Sequence, residues 1–293
     1  MASLKEVRSR ITSVNSTQQI TKAMKMVAAA KLRRAQDAIT QMRPYARKLS
    51  EMLGTVSAGA ESAADSPYKQ VRPVQNVLLI LVTSDRGLCG AFNSNVVKAA
   101  LARVNEQYAE QARRGMVQVM AIGKKGAEAM QRRGFTVNTK HVNAFASLKF
   151  STVREAAEEA MAQFVAGEID VVEVIYNESK NVATQIIRTE QMLPITSTPT
   201  PVGVTATVNY SFEPGEEEII SELIPKTLKI QLYKAVLESN SSEHGARMTA
   251  MDKATENAGE LIKELKLVYN RTRQAAITKE ILEIVGGAEA LSA

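Results

Sequence analysis

The sequence predicts an α/β domain set between two long helices that pair as an antiparallel coiled coil. Three observations carry that expectation. Of 293 residues, 45% are hydrophobic but only 4% aromatic, with no tryptophan and 12 methionines, so the apolar content is mostly Ala, Val, Ile, Leu and Met, the mixture of long packed helices. Apolar residues recur at helical spacing near both ends of the chain. Between them the period changes to short β-branched runs alternating with helical stretches.

From Lys5 to about Ala58 there is one glycine, Gly54, and one proline, Pro44, so a single helix is expected across residues 1–58. Alternating steps of four and three residues give Val7, Ile11, Val14, Gln18, Thr21, Lys25, Ala28, Leu32, Ala35, Ile39, Met42, Ala46, Leu49, Leu53 and Val56, a coiled-coil seam. Its members are polar from Gln18 to Lys25. Apolar Ile20, Met24 and Val27 lie on another face there, so the seam is expected to change face, and Pro44 to bend the helix or mark an irregularity. Residues 59–75, with Asp65, Ser66, Pro67 and Pro73, read as a linker.

The α/β domain is expected over 76–195. Val77 to Val82 suits a buried strand, and Asn95 to Ala112 returns to helical spacing. Val117 to Ile122 is a second strand, followed by a helix from Lys124 to Arg133, a weaker strand from Phe135 to Val142, and a helix from Ser151 to Val165 that Ser151 or Thr152 would cap. Asp170 to Tyr176 and Ala183 to Thr189 are two further strands around a polar turn. This order implies a Rossmann-like, largely parallel sheet with an antiparallel pair at its end, covered on both faces. Residues 196–215, rich in proline and glycine, form a connector, and 216–293 a second long helix with Pro225 near its start. Neither long helix would be stable alone, which is why the two should pack together.

Charge and cysteine content narrow the function classes. The net charge is +6, but residues 1–50 hold eleven Lys and Arg against two Asp and Glu, leaving 26 against 29 in the rest. The basic end calls for an anionic neighbour, whether nucleic acid, a membrane surface or an acidic protein. Cys89 is the single cysteine and His141 and His244 the two histidines, too few for an internal disulfide or a zinc site, so no metal and a reducing compartment are expected. The apolar runs are too short to span a bilayer, and the first residues lack the apolar stretch of a secretory signal, so they are expected to stay in the mature protein.

Candidate chemistry is thin. Thr83 to Asn93 follows a strand and precedes a helix, a place where α/β domains hold phosphate, but neither standard glycine fingerprint is present. Gly87 and Gly90 serve equally well in a tight structural turn. Cys89 has no neighbouring His or Asp/Asn and reads as a buried small hydrophobe. Gly123-Lys124-Lys125-Gly126 lacks the Ser/Thr of a phosphate loop and reads as a turn with a solvated charge pair. His141 and His244 read as surface or satisfied core residues. The basic face of Arg33, Arg34, Arg43, Arg47 and Lys48 is either solvated or a docking surface, and Tyr45 is the only ring in the first 50 residues to stack on a base. No catalytic residues, and no cofactor on this chain, are expected. An α/β enzyme and a coiled-coil nucleic-acid-binding protein stay open as alternatives.

Three segments carry a family resemblance. Lys5 to Ile11 followed by Thr17-Gln18-Gln19-Ile20-Thr21-Lys22-Ala23-Met24-Lys25-Met26-Val27-Ala28-Ala29-Ala30-Lys31, then Ser84-Asp85-Arg86-Gly87-Leu88-Cys89-Gly90, then Glu264 to Thr278 closely resemble the gamma-subunit family of the rotary, proton-driven ATP synthases, in order and spacing across essentially the whole chain. The resemblance implies a non-catalytic central-stalk rotor. Its coiled coil enters a hexameric head of alternating alpha and beta subunits, while its α/β domain sits near the epsilon subunit and the c ring. ATP, ADP and Mg would be bound by partner subunits, with catalysis in beta. Met24, Lys25, Arg247, Arg273, Gln274, Thr278 and Glu280 would face the alpha and beta subunits, with the basic ones toward an acidic loop of beta. Ile281, Leu282, Ile284 and Val285 would turn in an apolar sleeve, and Tyr210 and Glu213 would meet the c ring or epsilon. An acidic protein partner then uses the basic end better than nucleic acid does. With Cys89 alone, the dithiol switch of chloroplast-type members is not expected, and a peripheral place on the cytoplasmic face of a bacterial inner membrane is.

Overall fold

The computed structural model describes residues 3–59, 66–181, 184–195 and 216–292. It contains helices α1 (Leu4–Gly59), α2 (Phe92–Gln107), α3 (Ala109–Arg113), α4 (Lys124–Gln131), α5 (Phe150–Val165) and α6 (Glu216–Ser292), and strands β1 (Val77–Val82), β2 (Val117–Ile122), β3 (Thr136–Asn138), β4 (Val171–Ser179) and β5 (Gln185–Leu193). Two compact units form: one from Met1–Ala28 with Met248–Ala293, the other from Ala29–Arg247.

The larger unit is built on a five-stranded sheet of order β3-β2-β1-β4-β5. β3, β2, β1 and β4 run parallel, and β5 returns antiparallel to β4, as expected from the strand and helix order. Successive side chains of a strand point to opposite faces, so β1 splits its six apolar residues between two cores. Leu78, Ile80 and Val82 join Phe164 and Met161 of α5 and Leu228, Leu232 and Val236 of α6 on one face. Val77, Leu79 and Leu81 join Val96, Ala100 and Val104 of α2 on the other. Both faces are therefore covered, which is why β1 reads as a continuous apolar run.

Several elements differ from the sequence expectation in detail. The helical stretch after β1 breaks at Tyr108, whose ring is buried and whose hydroxyl is tied to β4. β3 is only three residues long. Neither Ser151 nor Thr152 caps α5, which starts one residue earlier at Phe150 with Lys149 before it. β4 and β5 each run to nine residues, because their pairing extends into the polar residues from Asn177 to Ser179. α1 continues through Pro44. On this stretch of α1, Leu32, Ala35, Ile39 and Leu49 are buried, and Arg43 pairs with the buried carboxylate of Glu238 in α6 through Nε at 2.8 Å and Nη2 at 2.9 Å.

In the smaller unit the two helices run antiparallel. Lys25 pairs with Asp252 at 2.5 Å, Thr255 donates to Thr21 at 2.8 Å, and Gln18 donates to the Thr255 carbonyl at 3.3 Å. The seam does not change face here, contrary to expectation. Thr21 and Ala28 are buried and Gln18 and Lys25 half-buried, whereas Ile20 and Val27 are 59% and 57% exposed. Polar residues hold the seam because α6 supplies a partner for each of them, so their burial leaves none of these contacts unmade. Gly259 sits opposite Gln18, where an added Cβ would lie 2.9 Å from its amide nitrogen.

Backbone conformation fixes the turn into α4. Gly123 has φ +108, and a Cβ there would stand 2.0 Å from the Thr83 carbonyl oxygen. Replacing Gly123 by Ala is expected to destabilise the larger unit by about 2–4 kcal/mol, since strain and a backbone clash add. Gly90→Ala, at φ +59 with nothing within 4 Å, should cost only about 1 kcal/mol. Urea unfolding of the two variants checks this ordering, and equal losses would contradict it.

Candidate functional site

Two regions draw attention as sites: the loop between β1 and α2, and the exposed faces of the smaller unit. The loop begins at Thr83, whose amide donates to the Ile122 carbonyl at 2.8 Å and whose hydroxyl accepts from Gly126 N–H at 2.8 Å. The Ser84 amide donates to Asn93 Oδ1, the Ser84 hydroxyl lies 2.6 Å from the Arg86 carbonyl, and the Asn93 amide donates to both the Ser84 hydroxyl and Cys89 Sγ. The Lys124 amide donates to Asp85 at 3.1 Å. These bonds tie the polar side chains of the loop to one another and to the start of α4. Contrary to the expectation that Cys89 has no Asp/Asn neighbour, Asn93 donates to its Sγ, with Ser84 and Arg86 as its other hydrogen-bond partners; burial pushes the thiol up, and none of these partners is a base that would take its proton.

α6 closes the loop from the other side. The Arg247 guanidinium is held by Glu243 at 3.1 Å and 2.6 Å and donates to the carbonyl of Gly87 at 2.6 Å and of Arg86 at 3.4 Å. Its side chain is only 12% exposed. Ala246 packs with Cys89 and Phe92. Leu88 is left with φ +66 and its side chain 65% exposed.

The two histidines occupy contrasting environments. His141 is buried with Nε2 2.9 Å from the Glu159 carboxylate, which Lys140 and Asn138 also bond. His244 has a buried Nδ1 with no hydrogen-bond partner, 3.9 Å from Glu243. Burial pushes the His244 imidazole below its ordinary 6.5, Glu243 opposes the shift, and Lys31 and Arg247 reinforce it. A base harder to protonate when folded contributes stability above the unfolded value that is lost as pH falls from about 6.5 toward its folded value. The melting temperature of the native chain should therefore drop more steeply between pH 7 and 5.5 than that of His244→Gln. Parallel profiles would remove His244 from the account.

In the smaller unit, Met24 and Lys25 are half-buried, Lys25 in its pair with Asp252, while Arg273, Gln274, Thr278 and Glu280 are exposed. Ile277, Ile281, Ile284 and Val285 recur at helical spacing on one face of α6, and all stand in solvent, Ile284 at 68%. Such an unpartnered apolar stripe marks a protein interaction surface. Ile20, expected on a shifted seam, and Val268, at helical spacing in α6, are exposed as well. Met26 and Leu267 add exposed apolar side chains that the periodicity did not single out, their signal being apolar residues off the seam. The basic residues Arg43, Arg47 and Lys48 are paired with Glu238 or Glu51, whereas Arg33 and Arg34 are exposed. Tyr210 and Glu213 lie outside the described residues. No group of side chains suited to a metal ion occurs among the described residues.

Comparison with known proteins covers the whole chain. The family model described as ATP synthase matches residues 3–291. The ATP synthase gamma chain of Cytophaga hutchinsonii is 61% identical over 294 residues, covering 100% of both chains, and that of Flavobacterium johnsoniae is 54% identical, again over 100% of both. Among solved structures, a chain of the Tetrahymena thermophila mitochondrial ATP synthase central stalk and c ring aligns with a TM-score of 0.58 at 25% identity, covering 80% of this chain and 99% of that one. A chain of the Euglena gracilis mitochondrial ATP synthase rotor shares the fold, with a TM-score of 0.63 at 18% identity over 94% and 98% of the two chains.

Proposed function

The chain belongs to the ATP synthase gamma-chain family, and we propose that it works as the central-stalk rotor of a bacterial enzyme, turning inside a head of alternating alpha and beta subunits. It is a subunit of the ATP synthase complex, and no helix among the described residues is long and apolar enough to cross a membrane. Its attachment to the membrane then runs through its partners, the c ring and epsilon, on the cytoplasmic face. ATP, ADP and Mg are handled by partner subunits, and catalysis takes place in beta.

The observation that carries the reading is the full-length match together with an apolar stripe near the end of α6 that is left uncovered. A stripe with no polar side chains offers few directional bonds, so Ile281, Leu282, Ile284 and Val285 can turn in an apolar sleeve without being arrested. Arg273, Gln274, Thr278 and Glu280, which precede it within about two turns, supply the polar contacts with the head, and Met24 and Lys25 those on α1. As the rotor turns, each catalytic subunit meets a different face of the helix pair, and differential contacts shift its nucleotide affinity. Tyr210 and Glu213 meet the c ring or epsilon in this reading.

Native mass spectrometry of the tagged chain, gently extracted from its own membranes, tests the proposal. One copy with three alpha-like and three beta-like chains is the expected composition. Recovery as a free chain or homo-oligomer without ATPase subunits would overturn it. An enzyme seated at the β1–α2 loop is disfavoured by the bonds that already occupy that loop.

A further inference from the structure

Arg247 reads from sequence as a contact with the head, yet its geometry directs it inward. A guanidinium has five N–H donors. Four contacts are already made, two to the Glu243 carboxylate and two to the carbonyls of Arg86 and Gly87. The receiving loop is unusual in its own right: Leu88 follows directly in the left-handed region that favours glycine, and its apolar side chain points to solvent. Strained residues persist only where their surroundings over-determine them. Here the surroundings are the Ser84 hydroxyl at the Arg86 carbonyl, Cys89 and Phe92 packed on Ala246, and the charge of Arg247 on the two carbonyls just before Leu88.

We propose that Arg247, oriented by Glu243, is a positioning residue that latches the Asp85–Gly90 loop onto α6, so that the loop is carried with the helix when the rotor turns. The role in turning rests on the rotor reading, while the latch itself does not. The bonds involved are charge-assisted, those to Glu243 part-buried and those to the two carbonyls at the exposed rim of the loop, and they tie α6 to a loop 160 positions away in the chain. Loss of the guanidinium removes the donor from the Gly87 carbonyl and one of those on the Arg86 carbonyl, which Ser84 still holds, and lets Leu88 relax toward ordinary backbone angles.

Hydrogen exchange of the full-length chain tests the latch directly. Amides of Gly87 to Gly90 should exchange about tenfold faster in Arg247→Met than in the native chain, with partial recovery in Arg247→Lys, whose single ammonium can still reach one carbonyl. Arg154→Met, on the exposed face of α5, should leave the loop unchanged. If Arg247→Met does not fold, Glu243→Gln, which keeps the side-chain shape and loses the orienting charge, should give a smaller rise at the same amides. Unchanged loop exchange in these variants would overturn the latch. In the assembled enzyme, Arg247→Met should hydrolyse ATP while pumping fewer protons per ATP, restored in part by Arg247→Lys. A loosened loop with the native pumping ratio would overturn its part in coupling. Absence of ATPase partners for the native chain would instead sink the rotor reading and leave the exchange result standing.

Discussion

Replacing Arg103 by Met should destabilise the larger unit by about 3–5 kcal/mol, among the largest effects of any single substitution outside the apolar cores. Glu173 is the third residue of β4 and has no solvent exposure, and its carboxylate accepts from Arg103 Nε at 2.8 Å, from Arg103 Nη2, and from the Tyr108 hydroxyl at 2.9 Å. Burial, then the neighbouring Glu173 charge, pushes the Tyr108 phenol up, so it stays a donor throughout the accessible pH range. Removing the guanidinium leaves a carboxylate in an apolar sheet with one neutral donor, and the desolvation penalty is no longer offset. The double variant Arg103→Met, Glu173→Leu should recover most of the loss, because an apolar pair of similar volume has no charge to desolvate. Urea denaturation of the three chains measures both effects. A loss below about 1 kcal/mol for Arg103→Met would mean that water reaches Glu173.

The second large effect is functional. Arg273→Ala combined with Gln274→Ala should leave the melting temperature of the isolated chain nearly unchanged, since both side chains are exposed on α6. In the assembled complex, ATP-driven proton pumping should fall by about tenfold, the loss expected when one or two polar anchors of an interface are truncated. Native pumping at normal assembly would remove these two residues from the contact with the head. A substitution of Ile281 and Ile284 by Ser should likewise spare stability, because neither buries its side chain within the chain.

The α/β core was legible because its signals are local. Val77 to Val82 is bounded by polar residues and apolar on both faces, which marks it as a buried strand of a covered sheet, while its central place came from the strand order. The turn at Gly123 was legible as a turn, but not the reason for its glycine, which is the Thr83 carbonyl just after β1. The exposed stripe near the end of α6 was legible as an apolar helix face, though sequence could not say which apolar faces stay uncovered. Ile20 and Val27 show the difficulty: apolar and helically spaced, they looked like the seam, yet Gln18, Thr21 and Lys25 hold it.

Sequence alone therefore determined the two long helices, the alternation of strands and helices between them, the handful of segments that resemble a known family, and the absence of catalytic signatures, all of which depend on residue type and spacing within a few turns. Tertiary structure decided where the polar groups go. Lys25 meets Asp252 across 227 residues, Arg43 meets Glu238 across 195, Arg103 meets Glu173 across 70, and Arg247 meets Gly87 across 160. A polar side chain is tolerated in a buried position only if a partner waits there. That partner is set by the packing of distant elements, so a residue read as a surface contact can become an internal tie, as Arg247 does, and a polar interruption can become the seam itself.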